Sequence, residues 1–374
     1  MKRVLAICNL HDCPHLGQLT ANRLVGTVSF LGRYGLMDYT MSNFSNSNLS
    51  HIAILCERSQ QSVYSHVGGG QLWINNTKTG SFAFLTNEKG ILKPKFNTDI
   101  ANLNNNYSYV SEFACDYIVV APVFFLTKVD FTEVINTHKQ SGADITLLYT
   151  HTKNGKKEFL NCDELSFYNK SNLIRSTKRN NGAEKEINVS LETYVFTKEA
   201  FLKMLNQVNS VSSLYGIRDM VNYYIQSKEL TVAGYNHQNY VLPILSLGDY
   251  VDVSFKLLKL SERKKLFDEN WPLYTTTHNT PPALYGPEAS VKNSFIANGA
   301  IIKGSVENCI ISRNVIVEKG AVLKNCILFS RTVVGENCHL ENVLADKDTK
   351  IQNVKTLIGG KQEEILYISQ GAKI

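Results

Sequence analysis

The stretch Val291-Lys292-Asn293-Ser294-Phe295-Ile296 decides the fold of the C-terminal part, because the chain repeats its pattern three more times. The later copies read VENCII at 306–311, LKNCIL at 323–328 and LENVL at 340–344, so successive asparagines lie 15, 17 and 17 residues apart. A repeat near 17 or 18 residues corresponds to three short turns of about six residues each, which is typical of one coil of a triangular parallel β-helix. Asparagine suits the corners because it tolerates the left-handed backbone region. We therefore predict about four stacked coils that share one apolar core.

The composition is that of an ordinary soluble protein with two domains. The chain has 374 residues, of which 43% are hydrophobic and 19% are charged, so it is long enough to bury two cores. The net charge of +6 is mild, and the densest basic run is Arg263-Lys264-Lys265. Such a run is typical of a solvated helix face, so we expect no nucleic-acid partner. Anionic small molecules remain compatible with this charge.

Cysteine usage and hydropathy predict a cytoplasmic protein. None of the eight cysteines forms a C-x-x-C pair, and most lie in apolar runs, which is typical of buried, reduced thiols. The apolar stretch at residues 4–8 is too short for a secretion signal, and no apolar run has the length of a membrane span.

Short apolar runs upstream of the repeats alternate with helical patterns, which predicts an α/β domain with a mostly parallel sheet. We predict helices over Ser59–His66, Phe131–Ser141, Lys198–Leu205 and Leu247–Lys265. The predicted boundaries are an α/β domain at 1–265, a linker rich in Thr, Pro and Asn at 266–287, and the β-helix at 288–374. The strands are predicted at Val4–Cys8, His51–Cys56, Asp116–Ala121, Ala143–Tyr149 and Leu191–Phe196.

Four segments of the first 75 residues carry a recognisable pattern, namely Leu16–Thr20, Phe30–Tyr39, Met41–Leu49 and His66–Trp73. They resemble the bacterial ADP-glucose pyrophosphorylases, which are glucose-1-phosphate adenylyltransferases. The family couples a nucleotidyltransferase α/β domain with a Rossmann-like, mixed sheet to a left-handed parallel β-helix, so the resemblance implies this fold for nearly the whole chain.

The resemblance also shows where the chain departs from the catalytic pattern. Adenylyl transfer needs backbone N–H groups around the phosphates, cationic side chains, and carboxylates that hold magnesium. The family's "G-G-x-G-x-R-L" phosphate loop corresponds to 9–16 here, which has no glycine and contains Pro14, a residue without an N–H group. Two of the family's basic positions fall on Val25 and Gly35. The segment that carries its magnesium aspartate corresponds to Ala121–Phe125, which has no carboxylate.

Two further motifs of the family also lack the expected residues in this chain. The second acidic motif is expected near residue 245, where only Asp249 is acidic and lies several positions late. Residues 176–179 replace the sugar-binding "E-K-P" element. Loss of one such group typically costs an enzyme a factor of about 10² to 10⁴. We therefore expect no catalytic residues and no metal cofactor in this chain, with magnesium confined to a catalytic partner.

This combination resembles the non-catalytic D-type subunit of the family, a subunit that assembles with a catalytic homologue and activates it. The resemblance implies a regulatory subunit in glycogen biosynthesis, a hetero-tetramer with the catalytic subunit, and a sugar-phosphate effector. A residual ligand pocket is predicted from Arg23, Arg33, Ser42, Asn43, His66 and Lys178. The structural alternatives are surface ion pairs for the two arginines, helix capping for Ser42 and Asn43, and a turn for His66.

Three other functions stay open at this point. The first is an active nucleotidyltransferase of altered specificity that holds phosphates through Arg23, Arg33 and Lys178. The second is a protein that senses a sugar phosphate and reports it to partners. The third is an acyltransferase that uses His339, the one histidine within the repeats, as a base.

Overall fold

The computed structural model describes residues 3–56, 60–75, 78–87 and 96–374. Its helices are α1 Met37–Asn46, α2 Gln60–Val67, α3 Asp99–Asn105, α4 Tyr107–Glu112, α5 Phe131–Ser141, α6 Lys198–Val211, α7 Ile217–Ser227, α8 Leu247–Lys256 and α9 Leu260–Leu266. The strands that precede the solenoid are β1 Val4–Asn9, β2 Ser29–Phe30, β3 Tyr34–Gly35, β4 His51–Cys56, β5 Ser81–Thr86, β6 Tyr117–Ala121, β7 Phe125–Leu126, β8 Ile145–Thr152, β9 Asp163–Phe167, β10 Ile174–Arg179, β11 Ile187–Thr197, β12 Val232–Asn236 and β13 Leu242–Pro243.

The chain forms two compact units that interleave along the sequence. The first unit comprises Met1–Cys13, Met37–Pro243 and Trp271–Tyr274, and the second comprises Pro14–Leu36, Ile244–Asn270 and Thr275–Ile374. Two segments that the sequence assigned to the α/β domain therefore belong to the unit of the repeats.

Long-range contacts within the second unit join these two segments to each other. The buried ring of Tyr250 packs edge-on against Phe30, and its hydroxyl donates a hydrogen bond to the carbonyl of Ser29. Neither contact has a local sequence signal.

The core of the first unit is one mixed sheet with the strand order β10-β9-β11-β6-β1-β4-β5, in which β8 also pairs with β11 and β12. Strand β1 is parallel to β4 and β6, whereas β11 is antiparallel to β6, β8 and β9. Strands β1, β4 and β6 are buried along nearly their whole length, which explains their continuous apolar runs. The predicted α/β fold with a mixed sheet is confirmed.

Helix ends follow ordinary capping chemistry. Asp130 begins α5 because its carboxylate accepts the N–H of Thr132 at 2.8 Å, and Gly142 ends it at φ 64°.

The predicted helix at 59–66 corresponds to α2, although Ser59 lies outside the described residues. The single helix predicted over 247–265 is wrong, because the extended backbone of Lys259 (φ −72°, ψ 125°) separates α8 from α9.

The repeats form a parallel β-helix with three faces, and each face is a sheet of five strands in the described chain. The first face is β14 Leu284–Tyr285, β17 Ile301–Ile302, β20 Ile316–Val317, β23 Val333–Val334 and β26 Lys350–Ile351. The second is β15 Ser290–Lys292, β18 Ser305–Glu307, β21 Val322–Lys324, β24 His339–Glu341 and β27 Thr356–Ile358. The third is β16 Phe295–Ile296, β19 Ile310–Ile311, β22 Ile327–Leu328, β25 Val343–Ala345 and β28 Leu366–Ile368. The predicted left-handed β-helix is confirmed, with one strand more on each face than the four repeats suggested.

Asparagine corners and apolar stacking hold the coils in register. The four repeat asparagines have φ between 45° and 52°, and Asn293 donates a side-chain hydrogen bond to Asn308 at 2.7 Å. Val306 and Leu323 are buried and face each other on the neighbouring strands β18 and β21. Cys309 and Cys326 fill the adjacent corner of the core. Each coil thus completes the core of the next one. Within the described residues, no helix is long and apolar enough to cross a membrane.

Candidate functional site

A cavity of about 210 Å³ lies where β1 and β6 end in the first unit, the edge at which α/β sheets bind ligands. The last residue of β1, Asn9, and the loop residues His11 and Asp12 contribute to its lining. Other elements contribute Asp99, Glu192 and Arg218. This is the place at which the resemblance puts the phosphate loop.

The loop after β1 uses its own backbone N–H groups inside the protein. The N–H of Leu10 donates to the carbonyl of Leu55 at 3.0 Å, and the N–H of His11 donates to Asn9 Oδ1 at 2.9 Å. Asp12 takes a left-handed conformation with φ 50°, where a phosphate loop would have glycine. These two amides are therefore not directed at a ligand.

The carboxylate of Asp99 occupies a position that would otherwise suit an anionic ligand. Its Oδ1 accepts the N–H of Ile100 at 2.7 Å and of Ile217, the first residue of α7, at 2.9 Å. Its Oδ2 accepts the side-chain amide of Asn9 at 3.0 Å. A Cβ atom on Gly216 would lie 2.9 Å from Oδ1, so only glycine lets the loop before α7 approach this closely. A carboxylate of the protein thus takes the place at the start of α7 where helices bind anions.

A second network in the cavity uses the cationic side chain of Arg218 for ion pairs within the protein. Arg218 binds Asp163 through Nε and Nη2, both at 2.7 Å, and its Nη1 lies 3.1 Å from Glu192. Glu192 sits at the irregularity of β11 between Ser190 and Tyr194 and has φ 48°, a strained value for a residue with a side chain. The network therefore neutralises Arg218 within the protein.

The electrostatics of the two carboxylates follow from their burial. Burial, together with the neighbouring Asp12, raises the pKa of Asp99 to about 7. Burial also raises the pKa of Glu192 to about 7, against the opposing effect of Arg218. Burial opposes the charged form of Asp163 as well, but hydrogen bonds from Arg218 outweigh it, and the pKa of Asp163 is lowered.

Comparison with known proteins agrees with this architecture. Residues 283–365 match the family described as GlmU-like, C-terminal hexapeptide. The Glycogen biosynthesis protein GlgD of Bacillus subtilis (strain 168) is 29% identical over 357 residues, which cover 95% of this chain and 92% of that protein. The Glycogen biosynthesis protein GlgD of Geobacillus stearothermophilus is 28% identical, with 82% of this chain and 79% of that protein covered. The glucose-1-phosphate adenylyltransferase of Acetivibrio thermocellus is 24% identical, with 92% and 81% covered.

Over most of its length the chain is similar to proteins of the ADP-glucose pyrophosphorylase family. Within it, the chain resembles the D-type proteins, and the resemblance extends over both units.

Asp99 and Glu192 do not fit the magnesium–nucleotide site of an adenylyltransferase. The segment after β6 provides Pro122 and Phe124 to the lining and no carboxylate. Asp99 already accepts three N–H groups, and Glu192 lies against Arg218. Magnesium requires ionised oxygen ligands that are available to the metal, which neither residue supplies.

The predicted ligand residues of the first unit do not line this cavity in the described structure. Ser42 Oγ accepts the N–H of Tyr274 at 2.9 Å, and Asn43 Oδ1 accepts the indole N–H of Trp271 at 2.8 Å. Both residues lie inside α1 and hold the segment at 271–274, so helix capping is wrong for them.

The other two predicted residues of this unit contact carboxylates. The His66 ring lies 2.6 Å from the buried carboxylate of Asp38, and His66 belongs to helix α2 rather than to a turn. Lys178 is exposed on β10 and lies 2.7 Å from Glu184 and 3.3 Å from Glu164. Ligand binding by Ser42, Asn43, His66 and Lys178 stays a prediction.

The two predicted arginines lie in the second unit, where they differ in environment. Arg23 is buried, and its Nη2 lies 2.6 Å from Asp346 and 3.3 Å from Gln370, so the predicted surface pair is a buried one. Arg33 is exposed, and its guanidinium group lies 5.8 Å from the ring centre of Tyr34. An internal carboxylate therefore already pairs with Nη2 of Arg23, whereas Arg33 stays a candidate for binding an anion.

Glu192 offers a test of the cavity electrostatics. Its folded-state pKa near 7 exceeds its ordinary value of 4.5, so protonation stabilises the folded protein below about 4.5, and this contribution is lost as the pH rises through 7. Relative to Glu192→Gln, we expect the wild type to lose up to about 1.4 kcal/mol of unfolding free energy per pH unit across this window. Urea unfolding of both proteins across the window measures the difference.

The comparison with the variant is necessary because buried histidines act in the opposite direction. Burial lowers the pKa values of His11, His138 and His237 to about 4, which weakens the fold as the pH falls below 6.5. Both proteins share these histidines, so the difference isolates Glu192. A difference that does not vary with pH would show that Glu192 is charged throughout.

Proposed function

We propose that this chain is a regulatory subunit of glucose-1-phosphate adenylyltransferase in glycogen biosynthesis, with little or no catalysis of its own. The observation that supports this most directly is that groups of the protein itself occupy the positions at which the resemblance places phosphate binding. The loop amides of Leu10 and His11 donate to protein acceptors, and Asp99 occupies the N–H group of Ile217 at the start of α7. A nucleotide phosphate would have to displace a buried carboxylate to reach that amide.

The retained scaffold supports a role in assembly rather than in chemistry. The first unit has a buried core of sheet and helices, and the solenoid has an apolar core of its own, while the loop amides, Asp99 and Arg218 are engaged within the protein. Relatives named for glycogen biosynthesis and relatives named as adenylyltransferases both match most of the chain. We infer a cytoplasmic hetero-tetramer with a catalytic subunit, in which packing at subunit contacts favours the active conformation of the partner.

The alternative of an active enzyme with altered specificity has less support. It would use Arg23, Arg33 and Lys178 for the phosphates, but Arg23 is paired with Asp346 and Lys178 with two glutamates. The acyltransferase alternative has no supporting contact, because His339 lies on a flat face of the solenoid between Val322 and Thr356.

The test is steady-state formation of ADP-glucose from ATP and glucose 1-phosphate by this chain, by the catalytic subunit of the same organism, and by their mixture. We expect no turnover by this chain alone and a higher rate in the mixture than in the catalytic subunit alone. Heat-denatured chain at the same concentration is the control for non-specific protein effects. An unchanged rate on mixing would reject the regulatory role, and turnover by this chain alone would reject the catalytic deficiency.

A further inference from the structure

Strand β5 lies at one end of the strand path of the mixed sheet in the first unit, and β10 lies at the other end. Among the described strands, β5 pairs only with β4, and the two are parallel. The N–H of Ser81 donates to the carbonyl of Ser50 at 3.0 Å, so Ser81 directs its backbone groups at β4. Because this direction alternates along a strand, the N–H and C=O groups of Phe82 and Phe84 point away from β4. Such groups form a template for another strand.

The two ends of the sheet differ in their protection against pairing with another chain. Edge strands of natural proteins are commonly protected by charged side chains or by an irregularity of the ladder. Strand β10 has both features, because its register with β9 shifts between Ile174 and Ser176 and three of its six residues are cationic, namely Arg175, Lys178 and Arg179. Strand β5 reads SFAFLT, without charge, glycine or proline, and its register with β4 is regular. Its edge therefore lacks both kinds of protection.

An aromatic surface extends along one face of β5. Ala83 and Leu85 pack on the core of the first unit, so Phe82 and Phe84 lie on the opposite face of the strand. Both phenylalanines are half-buried, and their ring centres are 5.4 Å apart. The ring of Phe84 also lies 5.8 Å from that of Tyr64 on α2, and Tyr64 is 62% exposed. The described chain thus leaves part of this surface open to a partner.

We propose that the edge of β5 pairs with the β5 edge of a second copy of this chain, antiparallel and about a two-fold axis. With the axis at Ala83, Phe82 of each copy lies opposite Phe84 of the other copy. Both are residues whose backbone groups point outward, so each of these two pairs exchanges N–H···O bonds in both directions. The ladder ends at Thr86, whose carbonyl already accepts Nδ2–H of Asn106 at 3.0 Å. The sheets of the two copies become one continuous sheet.

Symmetry and charge favour a second copy over a different protein. A two-fold contact requires a patch that is complementary to itself. Two uncharged β5 strands bring no like charges together, whereas two β10 strands would place cationic side chains opposite each other.

Side-chain size and type at β5 favour the same pairing. At the axis, the Cα atoms of a non-hydrogen-bonded pair approach to about 4.5 Å, and the small side chain of Ala83 allows this approach. The cross-strand pairs of Phe82 with Phe84 add aromatic contacts.

The isolated chain is sufficient for the test, so the inference does not depend on the proposed function. In sedimentation experiments, we expect a reversible rise from the mass of one chain to that of two as the concentration increases. Amide hydrogen exchange at Phe82 and Phe84 is expected to slow by at least about tenfold as the dimer forms, because these N–H groups become hydrogen-bonded. The amides of β10 are the internal control and should exchange at a rate that does not depend on concentration.

Two substitutions at one position separate the backbone contact from the ring contact. Phe84→Pro and Phe84→Val both remove the ring, but only proline also removes the outward N–H group, which the ladder with β4 does not use. We expect Phe84→Val to dimerise and Phe84→Pro to need at least about tenfold higher concentration, with urea unfolding as the check that both are folded.

Three results would overturn the proposal. They are a wild-type chain that stays monomeric, a dimer whose formation leaves exchange at Phe82 and Phe84 unchanged, and equal dimerisation of the two folded variants. If proline at position 84 prevents folding, the exchange measurement on the wild type decides. Protection of these two amides that is already complete in the monomer would assign the edge to the chain itself, and that outcome would contradict the proposal too.

Discussion

Replacing Arg23 by methionine is expected to lower the free energy of unfolding by about 3 kcal/mol or more, because it leaves the carboxylate of Asp346 without its cation in a buried environment. Arg23 Nη2 lies 2.6 Å from Asp346 Oδ2, and the Asp346 side chain is only 1% exposed. Asp346 also accepts hydrogen bonds from the Tyr367 hydroxyl and the N–H of Lys347, both at 2.7 Å. These remaining donors reduce the loss without replacing the positive charge.

Two further variants distinguish the loss of the Arg23–Asp346 ion pair from the general effect of replacing an arginine by methionine. The double variant Arg23→Met/Asp346→Leu removes both charges, so it should recover much of the stability lost by Arg23→Met. Arg331→Met breaks the pair of Arg331 with Asp348, whose side chains are 56% and 40% exposed, and should cost about 1 kcal/mol or less. Urea unfolding of the four proteins tests the account, and equal losses for Arg23→Met and Arg331→Met would contradict it.

Gly70→Ala is expected to cost about 2–4 kcal/mol, because two separate penalties apply at this position. The backbone of Gly70 is left-handed, with φ 69°, where it precedes the short 3₁₀ helix Gln71–Trp73. A Cβ atom there would lie 2.2 Å from Cδ2 and 2.3 Å from Cγ of Phe82, so the ring itself would have to move.

The adjacent glycines of the same motif provide matched controls. Gly68 has φ 58° but open space where the methyl group of an alanine would lie, so Gly68→Ala should cost only about 1 kcal/mol of backbone strain. Gly69 has neither a left-handed φ nor a neighbour within 4 Å of that position, so Gly69→Ala should stay within about 0.5 kcal/mol of the wild type. Thermal unfolding of the three variants should show this order, and equal losses at 68 and 70 would refute the packing contribution.

The solenoid could be predicted from sequence because its information is local and repeated. Each asparagine corner, as at Asn308 and Asn325, recurs after 15 to 17 residues and takes the left-handed conformation that the residue type favours. The buried strands β1, β4 and β6 carry continuous apolar runs for the same kind of reason. The spacing of apolar residues shows which face of a strand or coil is buried, and burial of these faces organises both the sheet of the first unit and the solenoid.

The candidate site could be predicted less well, because its contacts join distant segments. Arg23 and Asp346 are 323 residues apart, and Asp99 reaches Ile217 across 118 residues. The cavity residue Glu192 lies inside a strand whose pattern gave no sign of a strained carboxylate. The resemblance located family positions such as Ser42 and Lys178, but only the structure shows what each side chain contacts.

The unit boundaries and the environment of the basic run 263–265 also depend on contacts between distant segments, so they could not be predicted from sequence. Helix α8 shares a unit with the solenoid, and contacts such as the hydrogen bond from Gln362 to Asp252 at 2.8 Å cannot be read from linker composition. Arg263 and Lys264 look like surface residues in sequence, yet they line a cavity formed by three separate elements.

The most direct test of the central claim is calorimetric titration of the isolated chain with ATP, with and without magnesium. We predict that magnesium adds no saturable binding of ATP, since the loop amides and Asp99 of the first unit are already engaged within the protein. Saturable, magnesium-dependent ATP binding, accompanied by ADP-glucose formation on addition of glucose 1-phosphate, would contradict the account.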